Sequence, residues 1–181
     1  MFNKMNILYN KSALKLLKFL SENPSSGFHL REIVKKAEIS LGSASKGLKT
    51  LESQDMLLSR KIGKSIVYRV NLENPAVREF KVLVNVLSLE GLIKELKGAS
   101  DMVVLFGSYS NGTNNEGSDV DLFVETSDKQ RVIATLRKYD ADFKLSPILM
   151  DPAEASRLGK KDRPLKKRID EGRILWENVE I

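Results

Sequence analysis

VVLFGSYSNGTNNEGSDVDLFV, residues 103–124, decides how the rest of the chain is read. An apolar, β-branched run leads into Gly107-Ser108, a Gly/Asn-rich loop follows, and a second apolar run carries Asp119 and Asp121. The spacing predicts two strands around a loop. Side chains alternate along a strand, so Asp119 and Asp121 project to one face with Val120 on the other. Two like charges beside so apolar a stretch repel each other and lose hydration unless something compensates them. A divalent cation does so, and Mg²⁺ suits oxygen ligands of this kind, being held by one or two carboxylates plus phosphate oxygens. Gly107-Ser108 supplies the other half of such a site: glycine lets the backbone approach a ligand closely, and exposed amides plus a hydroxyl cradle an anion. Taken singly, Gly107, Gly112 and Gly117 also suit a long hairpin, and the acids suit a solvated strand edge. The ordered combination is more than a hairpin requires.

These residues resemble the signature of the DNA polymerase β-like nucleotidyltransferase superfamily, closest to its minimal branch, in which GS, a downstream G and SDxDL recur at this spacing. The resemblance covers roughly residues 98 to 178. It implies that Gly107 and Ser108, with Ser118, bind a nucleoside triphosphate (NTP), and that Asp119 and Asp121 are the catalytic acids that hold Mg²⁺ or Mn²⁺. Two departures from the family pattern bear on activity. Relatives carry a third carboxylate on the strand after the next helix, where this chain aligns Ser146, and an arginine where it has Asn111. Asp140 and Asp142 are alternative acids, although on a regular strand Asp142 lies about 13 Å from Ser146.

The charge is unevenly spread: residues 1–97 hold 17 Lys/Arg against 9 Asp/Glu, and residues 98–181 hold 13 against 15. The basic half is the candidate for nucleic acid. Cysteine is absent, which removes disulfides and thiolate metal sites and fits a cytoplasmic protein. No apolar run approaches the roughly 20 residues that span a bilayer, and the N-terminus lacks a signal-peptide pattern.

In the basic half, Leu14, Leu17 and Leu20 recur at helical spacing until Asn23-Pro24. Leu30, Ile33, Val34 and Ala37 predict a short second helix. Ser40 caps a third, with Ala44, Leu48 and Leu51 inward and Ser43, Ser45, Lys46, Lys49 and Thr50 outward. Strands follow over Met56–Arg60 and Ser65–Asn71. Three helices and a basic hairpin resemble the winged helix-turn-helix of small prokaryotic regulators. That resemblance implies DNA as partner, with the outward residues of the third helix in the major groove and Arg60, Lys61, Lys64 and Arg69 on phosphates. The same fold also serves as a protein-binding module. His29 reads as a surface residue at a helix start.

The fold class expected is α+β: a winged helix-turn-helix over 1–74, a connecting helix over 75–98, and a mixed α/β nucleotidyltransferase fold over 99–181. The connector's apolar stripes predict packing between the domains or a homodimer through this helix. In the last part the pattern predicts a helix over Lys129–Tyr139, a strand over Phe143–Met150, a helix opening at Asp151-Pro152, a basic loop over Arg157–Pro164, a helix over Leu165–Glu171 and a final extended segment. The function implied is Mg²⁺-dependent transfer of a nucleoside monophosphate from an NTP to an acceptor hydroxyl. The alternative is a DNA-binding regulator, antitoxin-like, whose C-terminal domain retains the fold without efficient chemistry.

Overall fold

The computed structural model describes residues 10–139 and 143–178 and divides into two compact units, Met1–Lys81 and Val82–Ile181. Asn10 starts the first unit's α1 (Lys11–Glu22), its side-chain oxygen accepting from the Ala13 amide at 3.0 Å. The short β1 (Phe28–His29) leads into α2 (Leu30–Lys36), where His29 and Glu32 cap reciprocally. Ser40 caps α3 (Leu41–Glu52) as its position predicts. The hairpin of β2 (Leu57–Ile62) and β3 (Ser65–Val70) turns at Gly63-Lys64. After α1 the chain re-enters as strand: Phe28 and His29 pair with Tyr68 and Val67, giving sheet order β1-β3-β2. Leu16, Leu20, Ile33, Leu48 and Leu51 pack beneath this sheet, each 1 % exposed or less. Two helices before a third that carries an outward polar face, then a hairpin, make the winged helix-turn-helix.

The expected single connecting helix is two. Helix α4 (Pro75–Ser88) ends at Leu89, which lies in the α region without a side-chain cap, and α5 (Glu90–Leu96) follows. The apolar stripes divide along the length rather than around the circumference. Val77 and Phe80 join the core of the first unit; Val86, Leu89, Leu92, Ile93 and Leu96 join a core of the second. Leu83 and Leu87 stay more than half exposed.

In the second unit, β4 (Met102–Phe106), α6 (Ser108–Asn111), β5 (Val120–Glu125), α7 (Lys129–Lys138), β6 (Leu145–Met150), α8 (Pro152–Lys161), α9 (Arg163–Asp170) and β7 (Arg173–Glu177) follow in order. The sheet runs β6-β5-β4-β7, parallel between β5 and β6 and antiparallel elsewhere. Alternation splits β4 and β5 between two cores. Val103, Leu105, Val120, Leu122 and Val124 face α5 and α7, while Val104, Phe106 and Phe123 face Leu158 of α8 and Ile169 of α9. The basic loop expected over Arg157–Pro164 is helical. Asp162 alone separates α8 from α9, accepting from the Leu165 amide at 2.9 Å, and Pro164 sits in the first turn, where its missing N–H costs nothing. Among the described residues no helix is long and apolar enough to cross a membrane.

Candidate functional site

β4 ends at Phe106, and the chain turns at Gly107 with φ 70° and ψ −151°, a region only glycine enters without strain. A β-carbon there would overlap the Asp121 carboxylate, with Cγ 3.2 Å away. The close approach expected of Gly107 is therefore onto the site's own acid. Ser108 opens α6, and its hydroxyl has no partner among the described residues. Ser118 faces its own loop: its hydroxyl accepts from the Asn115 amide at 2.9 Å and donates to the Asn115 side-chain oxygen at 3.2 Å.

Asp119 and Asp121 flank the fully buried Val120, so both emerge on the sheet face that carries Phe123. Asp121 lies opposite Phe106 on β4 and in parallel register with Ser146 on β6. The position that the resemblance implies for a third carboxylate is thus beside Asp121, and Ser146 occupies it. Asp140 and Asp142 lie outside the described residues. Among the described residues no group of three His, Asp or Glu side chains could enclose a metal. The donor set fits one Mg²⁺ arriving with phosphate oxygens, since two carboxylates suffice when phosphate completes the shell. It does not fit an ion enclosed by protein alone.

Two cations reach the acids: Lys144, which sequence reasoning did not name, and Arg168, which it named only within the set Lys160, Lys161, Arg163, Lys166, Lys167 and Arg168 as charge that could face a triphosphate, a set that also reads as a solvated helix face. Lys144, just before β6, donates to Asp119 Oδ2 at 2.8 Å. Arg168 of α9 lies 3.5 Å from Asp121 Oδ2, with its guanidinium 5.1 Å above the Phe106 ring. Asn85 of α4 was missed as well. It is buried and donates to the Tyr109 carbonyl at 2.9 Å and to the Asn114 side-chain oxygen at 3.0 Å, pinning the loop. A lone Asn within the apolar, valine-rich end of a helix was the available signal, since a buried amide needs partners. Arg173 braces α6 from β7, donating to the Ser110 carbonyl at 2.8 Å. Burial, more than the nearby Asp119 charge, holds the Tyr109 phenol above its ordinary pKa against the lowering effect of its hydrogen bond with Asn114. Tyr109 is neutral at physiological pH.

In the first unit, Ser43, Lys46 and Thr50 share one face of α3, and Lys49 flanks it. Ser45 stands about 200° round from Ser43 at 100° per residue and is half-buried. The Ser43 hydroxyl accepts from Ser40 Oγ, and Thr50 Oγ1 donates to the Lys46 carbonyl, leaving Lys46 and Lys49 as the free polar reach of the helix. On the hairpin, Leu58 pairs with Arg69 and Arg60 with Val67, which puts both arginines on one face; Lys61 pairs with Ile66 on the other, and Lys64 sits in the turn. His29 caps α2 and sets Nδ1 3.3 Å from the Ile66 carbonyl, a structural position.

A mixed sheet that sets a glycine-serine corner against two acids on alternate positions of the next strand defines the class of the second unit. Residues 88–176 match the family model of the nucleotidyltransferase domain. Among solved structures, the chain is similar to the homodimeric winged helix-turn-helix DNA-binding domain of a possible ArsR-family transcriptional regulator from Mycobacterium bovis. Identity is 23 %, with 48 % of this chain and 77 % of that one covered at a TM-score of 0.39. No curated protein matches the chain significantly.

Proposed function

We propose that the C-terminal domain is a Mg²⁺-dependent nucleotidyltransferase that moves a nucleoside monophosphate from an NTP to an acceptor hydroxyl, in a cytoplasmic protein whose winged helix binds DNA. The observation that carries this is the seating of Gly107 directly against Asp121, with Asp119 emerging on the same face. Asp119 and Asp121 would hold the ion, which supplies charge neutralisation for entering and leaving oxygens in such transfers. The Gly107-Ser108 corner offers amides and an unpartnered hydroxyl to the phosphates. Exposed Lys46, Lys49, Arg60 and Arg69 give the first unit its phosphate-binding reach. A homodimer through α4 is supported by the exposed Leu83 and Leu87, one turn apart.

A second reading is favoured by Ser146, whose hydroxyl stands in register with Asp121 where a third carboxylate would help deprotonate the acceptor. On that reading the chain is a DNA-binding regulator whose second unit binds nucleotide and turns it over poorly. Incubation with labelled ATP, CTP, GTP and UTP and Mg²⁺ separates the two. Transfer of label to the protein or an added acceptor, lost in Asp121→Asn, supports the enzyme. Selective DNA binding with no transfer under any condition supports the regulator.

A further inference from the structure

The geometry points to Arg168 and Lys144 as the cations that take up the NTP polyphosphate, exchanging their carboxylate partners for phosphate when Asp119 and Asp121 accept a metal ion. This assignment rests on the nucleotide-site reading above and supplies what Asn111 withholds. Arg168 sits within a basic run whose paired neighbours are spent locally: Lys166 pairs with Asp170 and Lys167 with Glu171, each four residues on along the chain. Arg168 instead reaches across the fold to Asp121, 47 residues away in sequence. Its guanidinium lies over Phe106, the residue immediately before the Gly107-Ser108 corner. An aromatic ring holds a planar cation by one face and leaves the N–H fork free in its plane, the geometry that grips phosphate in two places. Lys144 approaches from the opposite strand edge as a point charge on a flexible stem.

Both pairs are built to break. The side chains are 77 % exposed for Lys144 and 55 % for Arg168, and solvent-exposed ion pairs hold weakly. Without nucleotide, the two cations neutralise two acids that stand on one face. Once those acids take a cation, Arg168 and Lys144 lose their partners beside the corner where the phosphates would lie, and a polyphosphate restores them. Metal and nucleotide then bind with positive coupling, because each relieves the charge the other leaves uncompensated.

The test uses the full-length protein and two binding measurements that need no turnover. Calorimetric titration of a non-hydrolysable ATP analogue with Mg²⁺ is expected to show affinity at least 10-fold lower in Arg168→Ala, partly recovered in Arg168→Lys, and unchanged in Lys167→Ala. AMP is expected to bind all four proteins alike. Mn²⁺ titration without nucleotide, read by electron paramagnetic resonance, is expected to tighten severalfold in Arg168→Ala and Lys144→Ala, since a competitor for each carboxylate has gone. A wild type that binds the analogue, with Arg168→Ala binding it equally well, overturns this proposal and leaves the nucleotide site standing. A wild type that binds neither analogue nor Mn²⁺ overturns the underlying reading. Circular dichroism of each variant guards against loss of fold.

Discussion

A methyl group on Gly107 would have to displace the Asp121 carboxylate. The backbone there lies in a region closed to other residues at a cost of about 1–3 kcal/mol, and the space a β-carbon needs is filled by the Asp121 carboxylate. Gly107→Ala is therefore expected to lower the stability of the second unit by about that amount in urea unfolding and to displace Asp121, removing metal-dependent nucleotide binding. A variant as stable as wild type and equally able to bind would mean that the corner is loosely held. The pairing of a small residue with an acid across two strands was readable in outline. Gly107 and Asp121 lie close enough along the chain for one loop to join them, and the apolar runs around them carry the strand period. Arg168 was legible only as one of six cations between Lys160 and Arg168 that could face a triphosphate. Which member of that run turns toward the acids depends on how α9 lies across the sheet, a matter of packing by Leu158 and Ile169.

The hairpin and the last two helices show how elements sort residues that sequence groups together. Arg60, Lys61, Lys64 and Arg69 read as one basic set, yet the β2–β3 register puts Arg60 and Arg69 on one face and Lys61 on the other. Neighbouring residues of a strand cannot serve one surface. Arg60→Ala and Arg69→Ala are accordingly expected to weaken DNA binding together, each lowering the log–log salt slope by about 1, while Lys61→Ala leaves the slope nearly unchanged. Equal losses at all three positions would show that the hairpin does not meet the phosphates through a single face. In the second unit, the basic stretch Arg157–Pro164 suggested a loop, and the chain built two helices there. Asp162 closes one helix and caps the next, an arrangement local composition hides because it hinges on one side chain accepting from the Leu165 amide.

At the scale of the molecule, the chain carries separate apolar cores, one beneath the winged-helix sheet and two on the faces of the nucleotidyltransferase sheet. Leu20 and Leu105 are each fully buried, one in the first unit and one in the second. Leu20→Ala is expected to cost about 2–5 kcal/mol in the first unit and to impair DNA binding on warming before nucleotide binding is lost; Leu105→Ala is expected to reverse that order. Thermal unfolding followed by the two binding assays measures this. Loss of both activities at one temperature in both variants would contradict it.

Sequence alone determined the elements with strong periodicity: the helices around Leu14–Leu20 and Ala44–Leu51, and the strands bearing Val103 and Asp121. It also determined the acid pair and the glycine-serine corner, because alternation and turn chemistry act over a few residues. Tertiary structure decided what stands opposite those residues. Ser146 comes into register with Asp121 only through parallel pairing of β5 and β6, Asn85 reaches the loop only by the path of α4, and Lys144 and Arg168 become partners of the two acids only when distant segments pack on one sheet face. Such pairings join positions far apart along the chain, and their energies depend on packing that local propensity does not encode.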